Sequence, residues 1–351
     1  MNIKDRVMTV YRGEEPDRIP FLIYGGLCPR GYMERQLRNK DLGLKVAASV
    51  WKEEMTNVRV ETKAVGNFVH WTFHTPLGDV SRKDRIGLRE GAGSSWTTEH
   101  LIKDVSDFEV LEFMVGDTVY TPDYQPFLDA ERNLGDDGVV FVWAGRSPLQ
   151  KMQIELMGYK TFAMALYRYP KEFERLLRAL EKKADERYQI IAESPTEIVN
   201  GTDNINSEIV SPKLFEKYVI PFYDKQARLL HKKDKILEDH MDGKLSCLKD
   251  LISKMDLDAV EAFTPPPMGD LSLAEARHAW KGKVISLNFP ESVFLEGLNA
   301  VKKQTLNILS EAAPGDNFIV TFTEDIPVEY RWTGLSVIAD ILKEQGVYPL
   351  S

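Results

Sequence analysis

From Val139 onward the chain alternates short, continuous apolar runs with longer segments whose apolar positions recur at helical spacing. The runs are Val139–Trp143, Ile198–Asn200, Ile236–His240, Ala259–Phe263, Val284–Asn288 and Phe318–Phe322, and an amphipathic segment follows each one. A strand that is apolar at every position is buried on both faces, so this alternation predicts parallel βαβ units. Ser211-Pro212 supplies an N-cap and a first-turn proline to one helix, while Phe173, Leu176, Leu177, Leu180 and Ala184 mark the buried stripe of another. Nearer the N-terminus, Ile19–Tyr24 reads as a strand ended by Gly25-Gly26, and turn residues with period-two alternation make hairpin strands of Asn57–Lys63 and Phe68–Ser81. With the early strand and others between, the pattern supplies about eight units, which predicts an α/β protein of the (β/α)8 TIM-barrel class. The expected organisation is one barrel domain over 1–351 with a hairpin flap at about 57–82. An open doubly wound sheet is the rival, but its dinucleotide-binding form lacks support because no G-x-G-x-x-G follows a strand.

Composition narrows the partners. Of the 351 residues 43% are hydrophobic and 28% charged, enough apolar material for a sizeable core. A net charge of −9 disfavours nucleic acid and anionic membrane surfaces, whose phosphates need basic clusters. No run approaches the ~20 apolar residues of a membrane span, and the first residues lack a secretory pattern, so a cytoplasmic location is expected. Two cysteines, Cys28 and Cys247, form no C-x-x-C pair and exclude a disulfide framework or a zinc ribbon. Small molecules and other proteins remain as partners, and a homodimer is compatible.

The strand ends carry the chemistry. Tyr24, Trp143 with Ser147 and Gln150, Asn200 with Asp203, Asn204 and Asn206, His240 with Asp242, Glu261, Asn288, and Glu324 with Asp325 each close or follow an apolar run. In a barrel all strand C-termini surround one mouth, so these side chains would converge there. Duller roles exist for several. Asp242 and Asp325 suit helix N-caps, Asn200, Asp203 and Asn204 suit a turn beside Gly201, and His240 suits a hydrogen-bonded structural histidine. Glu261, flanked by Val260 and Ala262, suits a cap poorly and a functional acid better. His70 and His74 lie on one face of a hairpin strand and read as structural. Cys247 is expected to pack within the following helix beside Leu248 and Leu251, and Glu181–Arg187 to form a solvated helix face.

In order and spacing these segments resemble the uroporphyrinogen decarboxylase superfamily, which includes the corrinoid-dependent methyltransferases. The run Ile209 to Phe222 is similar to the family's S-P-x-x-F helix start, with Asn200 to Asp203 before it at the strand end. Asp242 to Leu251, Leu257 to Phe263 and Gly315 to Pro327 resemble the units that follow. The resemblance spans nearly the whole chain and implies a (β/α)8 barrel. True decarboxylases carry an arginine-rich segment after the first strand that holds the substrate carboxylates. In Ile23 to Arg38, Gly25 stands at the first arginine's place and only Arg30, near Tyr32, is similar to the second. Without those cationic clamps a polycarboxylate substrate is disfavoured.

The methyltransferases that use coenzyme M have an H-x-C zinc site with a distant cysteine. Here the corresponding positions hold His240, Asp242 and Glu324, a harder donor set that suits an oxygen substrate better than a thiol. The resemblance therefore implies transfer of a methyl group from a small donor, a methoxylated aromatic above all, to the cobalt of a corrinoid carried by a partner protein. The leaving oxygen needs a Lewis acid or a proton donor. His240, Asp242, Glu324 and Glu261 are the expected ligands of a zinc ion. Glu261, His240 and Glu324 are the expected catalytic groups, with Glu261 or Glu324 as a neutral acid. Tyr24, Trp143 and Phe263 would form an aromatic platform, and Asn200, Asp203, Asn204 and Asn288 would orient the substrate. A decarboxylase-like lyase and a non-catalytic binding member are the alternatives.

Overall fold

The structure, a computed structural model, describes residues 1–88 and 95–350. Eight parallel strands close into a barrel: β1 (Phe21–Tyr24), β2 (Leu42–Ala47), β3 (Gly138–Gly145), β4 (Ile198–Gly201), β5 (Ile236–His240), β6 (Ala259–Phe263), β7 (Val284–Asn288) and β8 (Phe318–Phe322). Each strand pairs with its sequence neighbours, and β8 pairs with β1. Helices lie between the strands along the chain, so the fold is the (β/α)8 barrel that the apolar runs predict. Ser211 accepts from the Leu214 N–H as the N-cap of the helix that follows it. The strand that the pattern did not single out is β2, where Lys45 interrupts the apolar run yet is buried inside the barrel.

An N-terminal helix, α1 (Ile3–Tyr11), contributes to the floor. Asn2 caps it by accepting from the Asp5 N–H. Its Val7, Met8, Val10 and Tyr11 pack with Leu22, Val139, Phe141, Ile198, Ala259, Val284 and Ile319, an apolar layer drawn from seven residues of the barrel strands. Gly43 on β2 belongs to this close packing. A Cβ there would lie 2.4 Å from Ile3 Cγ2 and 2.7 Å from Leu22 Cδ2, so no side chain fits.

β6 contains the irregularity that matters most for the mouth. Its register with β7 shifts between Glu261 and Phe263, and Ala262 between them has φ 60°, the left-handed region that a side chain disfavours. Side chains alternate along a regular strand, so Glu261 and Phe263 would share a face. The extra residue breaks that alternation. Glu261 points into the barrel, while Phe263 turns edge-on to Trp280 with ring centroids 5.4 Å apart. Cys247, expected inside a helix, is exposed, because a 3-10 turn at Ser246–Leu248 precedes the helix Lys249–Ile252 and buries Leu248 instead.

The chain divides into two compact units, and the barrel strands lie in the one formed by Met1–Val50, Asp123–Gly145 and Ile191–Ser351. The other comprises Trp51–Pro122 and Arg146–Ile190. It holds an antiparallel pair, Trp51–Met55 with Thr118–Pro122, and a four-stranded antiparallel sheet of Arg59–Val65, Phe68–Thr75, Gly78–Ile86 and Ser95–Glu99. The insertion is thus larger than a hairpin over 57–82. His74 Nδ1 lies 2.8 Å from Asp79 Oδ2 on the neighbouring strand, a local surface pairing. Phe173, Leu176, Leu177, Leu180 and Ala184 are all buried. Among the described residues no helix is long and apolar enough to cross a membrane.

Candidate active site at the strand ends

Above the apolar floor the barrel interior becomes ionic. Lys45 Nζ lies 2.6 Å from Glu238 Oε1 and 3.1 Å from Glu261 Oε1, and all three side chains are fully buried. Tyr11 donates to Glu238 Oε2 at 2.6 Å, Asn200 Nδ2 to Glu238 Oε1 at 2.7 Å, and Tyr24 to Glu261 Oε1 at 2.8 Å. Burial opposes ionisation of Glu261, but the Lys45 charge, the hydrogen bond and charge of His240, and the Tyr24 hydroxyl outweigh it and hold the carboxyl well below its usual range. Burial likewise opposes the Lys45 ammonium, and the two carboxylates more than restore it. The phenols of Tyr11 and Tyr24 are pushed up by burial and by the same carboxylates, so they stay neutral donors.

His240 ends β5 and connects this interior to the mouth. Its Nδ1 lies 2.9 Å from Glu261 Oε2, and its Nε2 lies 3.8 Å from Asp242 Oδ2 and 3.7 Å from Glu324 Oε1. Burial would lower the imidazole pKa, but hydrogen bonds with Asp242, Glu261 and Glu324 raise it well above the ordinary value. One ligand atom from each of His240, Asp242 and Glu324 falls within 4.8 Å of the others. Zinc bonds of ~2.1 Å in a tetrahedron put neighbouring donors roughly 3.4 Å apart, so a small contraction of this triad would seat a divalent ion. A histidine ligand whose other ring nitrogen meets a carboxylate is the usual arrangement around such ions. The residues therefore fit a metal with one nitrogen and two oxygen donors.

This geometry corrects several expectations. Glu261 is neither a mouth ligand nor a neutral acid: both oxygens are taken, by Lys45 and Tyr24 on one side and His240 Nδ1 on the other. Phe263 offers no platform, having turned toward Trp280. Asn200 is committed to Glu238. Asn288 ties strand ends together, donating to Thr264 Oγ1 and Glu291 Oε2 at 3.2 Å each and accepting from the Thr323 N–H at 2.9 Å. Asp203 is buried beside Asp239, whose carboxyl is pushed up by burial and by the Asp203 charge, and which Tyr223 bonds at 2.7 Å. Neither Asp242 nor Asp325 caps a helix, since the next helices have Leu245 and Tyr330 at that position.

Accessible groups remain. Trp143 is 47% exposed and meets Tyr24 and Phe141 edge-on, with centroids 6.1 and 5.6 Å away. Asn204 is exposed, and Glu324 is 47% exposed. Sequence reasoning passed over Lys45, Glu238, Tyr11 and Glu291. The first three lie deep in the barrel rather than at a strand end. Glu291, in the turn after β7, is 4% exposed with Oε1 buried and unbonded. Burial, with the charges of Glu324 and Asp242, pushes its carboxyl up to about 8.

A family model described as uroporphyrinogen decarboxylase (URO-D) matches residues 140–345, more than half of the chain. No curated protein matches the sequence. Among solved structures, a methyltransferase from Methanosarcina mazei aligns over 98% of this chain and 99% of its own with a TM-score of 0.61, at 10% identity. That likeness is one of fold. A structure described as a vitamin-B12-independent methionine synthase from Listeria monocytogenes aligns over 64% of this chain and 71% of its own, with 15% identity and a TM-score of 0.40. The matched family model begins within β3 and runs through the strands that deliver His240, Glu261 and Glu324, and the chain belongs to the uroporphyrinogen decarboxylase (URO-D) family.

Proposed function

We propose that this chain is a methyltransferase that moves a methyl group from a small methyl ether, a methoxylated aromatic in particular, to the cobalt of a corrinoid held by a second protein. The observation that carries the reading is the triad of His240, Asp242 and Glu324 at the strand ends, with Glu261 on the far side of the imidazole. The fold shared with the Methanosarcina mazei methyltransferase supports it, and so does Gly25 at a place where a decarboxylase would present an arginine.

An ether surrenders its methyl group only if the departing oxygen is relieved of negative charge. A zinc ion held by His240, Asp242 and Glu324 would supply Lewis acidity to that oxygen. The hard donor set favours an oxygen ligand over a thiol. Glu291, whose carboxyl burial pushes up to about 8, would give a proton to the leaving alkoxide or phenoxide, the role first expected of Glu261 or Glu324. The exposed face of Trp143 offers stacking to an aryl ring, and Asn204 a hydrogen bond to its substituents. A corrinoid carrier would dock over the strand ends, bringing the cobalt to the methyl group of the bound ether.

The test mixes the purified chain, zinc, a methoxylated aromatic and a cobalt(I) corrinoid protein. Conversion of the cobalt(I) spectrum to that of methyl-cobalt, dependent on the aromatic and lost in His240→Ala, is the expected result. No conversion with any methyl ether, together with carbon dioxide release from a porphyrinogen, would replace this reading with a lyase.

A further inference from the structure

A buried ion pair is an expensive way to fill a barrel. Two carboxylates and an ammonium must each leave water, and well-packed apolar side chains in place of all three would fill the same space at lower cost. The Lys45 ammonium is nevertheless specified closely. Glu238 is fixed by Tyr11 at one oxygen and by Asn200 at the other, and Lys45 joins it at 2.6 Å. The ammonium also lies 5.1 Å from the Phe141 ring centroid and 5.7 Å from that of Tyr24. A second bond carries its charge to Glu261 Oε1, beside the Tyr24 hydroxyl. The other oxygen of Glu261 is then left for His240 Nδ1.

We propose that Lys45 is a positioning residue for the metal site: it holds Glu261 as the partner of His240 Nδ1 and thereby aims Nε2 at Asp242 and Glu324. The proposal rests on the reading that those three residues bind a divalent metal, and it extends that reading to a residue remote from the ion. A carboxylate facing an imidazole can accept the Nδ1 proton or swing toward another partner. Lys45 and Tyr24 occupy Oε1 and remove the second choice. With Nδ1 protonated toward Glu261, the Nε2 lone pair is the one presented to the ion. Without Lys45, Glu261 Oε1 would lose its 3.1 Å partner and the carboxyl would be free to turn away from His240 Nδ1.

The experiment uses the full chain. Zinc affinity is measured by competition with a chromophoric chelator for the unaltered protein, Lys45→Met and Tyr24→Phe, with thermal melting as a check of folding. Nitrogen NMR of the imidazole reports the His240 tautomer in the zinc-loaded form. The expected result is zinc binding about 10- to 100-fold weaker in Lys45→Met and about 3-fold weaker or more in Tyr24→Phe, with Nδ1 protonated in the unaltered chain. A folded Lys45→Met with unaltered affinity overturns the inference. Should Lys45→Met fail to fold, unchanged affinity in Tyr24→Phe overturns it. Absence of zinc binding by the unaltered chain would overturn the metal reading and this inference together, so the two failures are told apart.

Discussion

A carboxyl that donates a proton at neutral pH has to be held uncharged, and Glu291 meets that requirement through burial and through the charges of Glu324 and Asp242, which push it to about 8. Its ordinary value is near 4.5, so in the metal-free chain the unfolded state ionises first as pH rises. The acid's neutral form is therefore at no cost below about 4.5, and stability falls between there and about 8. Glu291→Gln should remove this loss and be the more stable protein at pH 9 by up to a few kcal/mol, as chemical denaturation at pH 5 and 9 would reveal. The same substitution should lower the methyl-transfer rate by about 100-fold or more and leave zinc affinity in place. An unchanged rate would remove Glu291 from the chemistry. No sequence pattern marks this glutamate, which follows Pro290 in what reads as an ordinary turn. Its character comes from its surroundings, which a single chain does not display.

At the scale of elements, the strands with continuous apolar runs were legible in the sequence, four of the six to the residue, while the first two run on to Gly145 and Gly201. Ala259–Phe263, Val284–Asn288 and Phe318–Phe322 begin and end where the pattern places them. β2 was not, since its sequence mixes Gly43 and Lys45 into what would otherwise be an apolar strand. Both irregular residues face specific neighbours, α1 in one case and two carboxylates in the other. Gly43→Ala should therefore act as an overpacking substitution, with the new methyl group driven against Ile3 and Leu22. A loss of about 1–3 kcal/mol in urea denaturation is expected, and a neutral result would mean that α1 is not seated on the barrel floor. The bulge at Ala262 was equally invisible, because an alanine in an apolar run gives no sign of a left-handed backbone. It is the reason Phe263 left the mouth while Glu261 stayed inside.

Across the whole molecule, the closed ring of strands explains how side chains more than 80 residues apart in sequence, such as His240 and Glu324, come to lie 3.7 Å apart. The polar residues at most strand ends could be read from the sequence, as could the family. Which of those residues meet a ligand could not, since Asn200, Asn288 and Glu261 are spent on holding one another and their neighbours. The central claim is that the mouth binds zinc through one imidazole and two carboxylates. X-ray absorption at the zinc edge, on the zinc-loaded full chain, tests it most directly. The account predicts a first shell of nitrogen and oxygen at about 2.0–2.2 Å, with imidazole scattering from one histidine that disappears in His240→Ala. A sulfur shell at about 2.3 Å, or a zinc environment unchanged by His240→Ala, would contradict it.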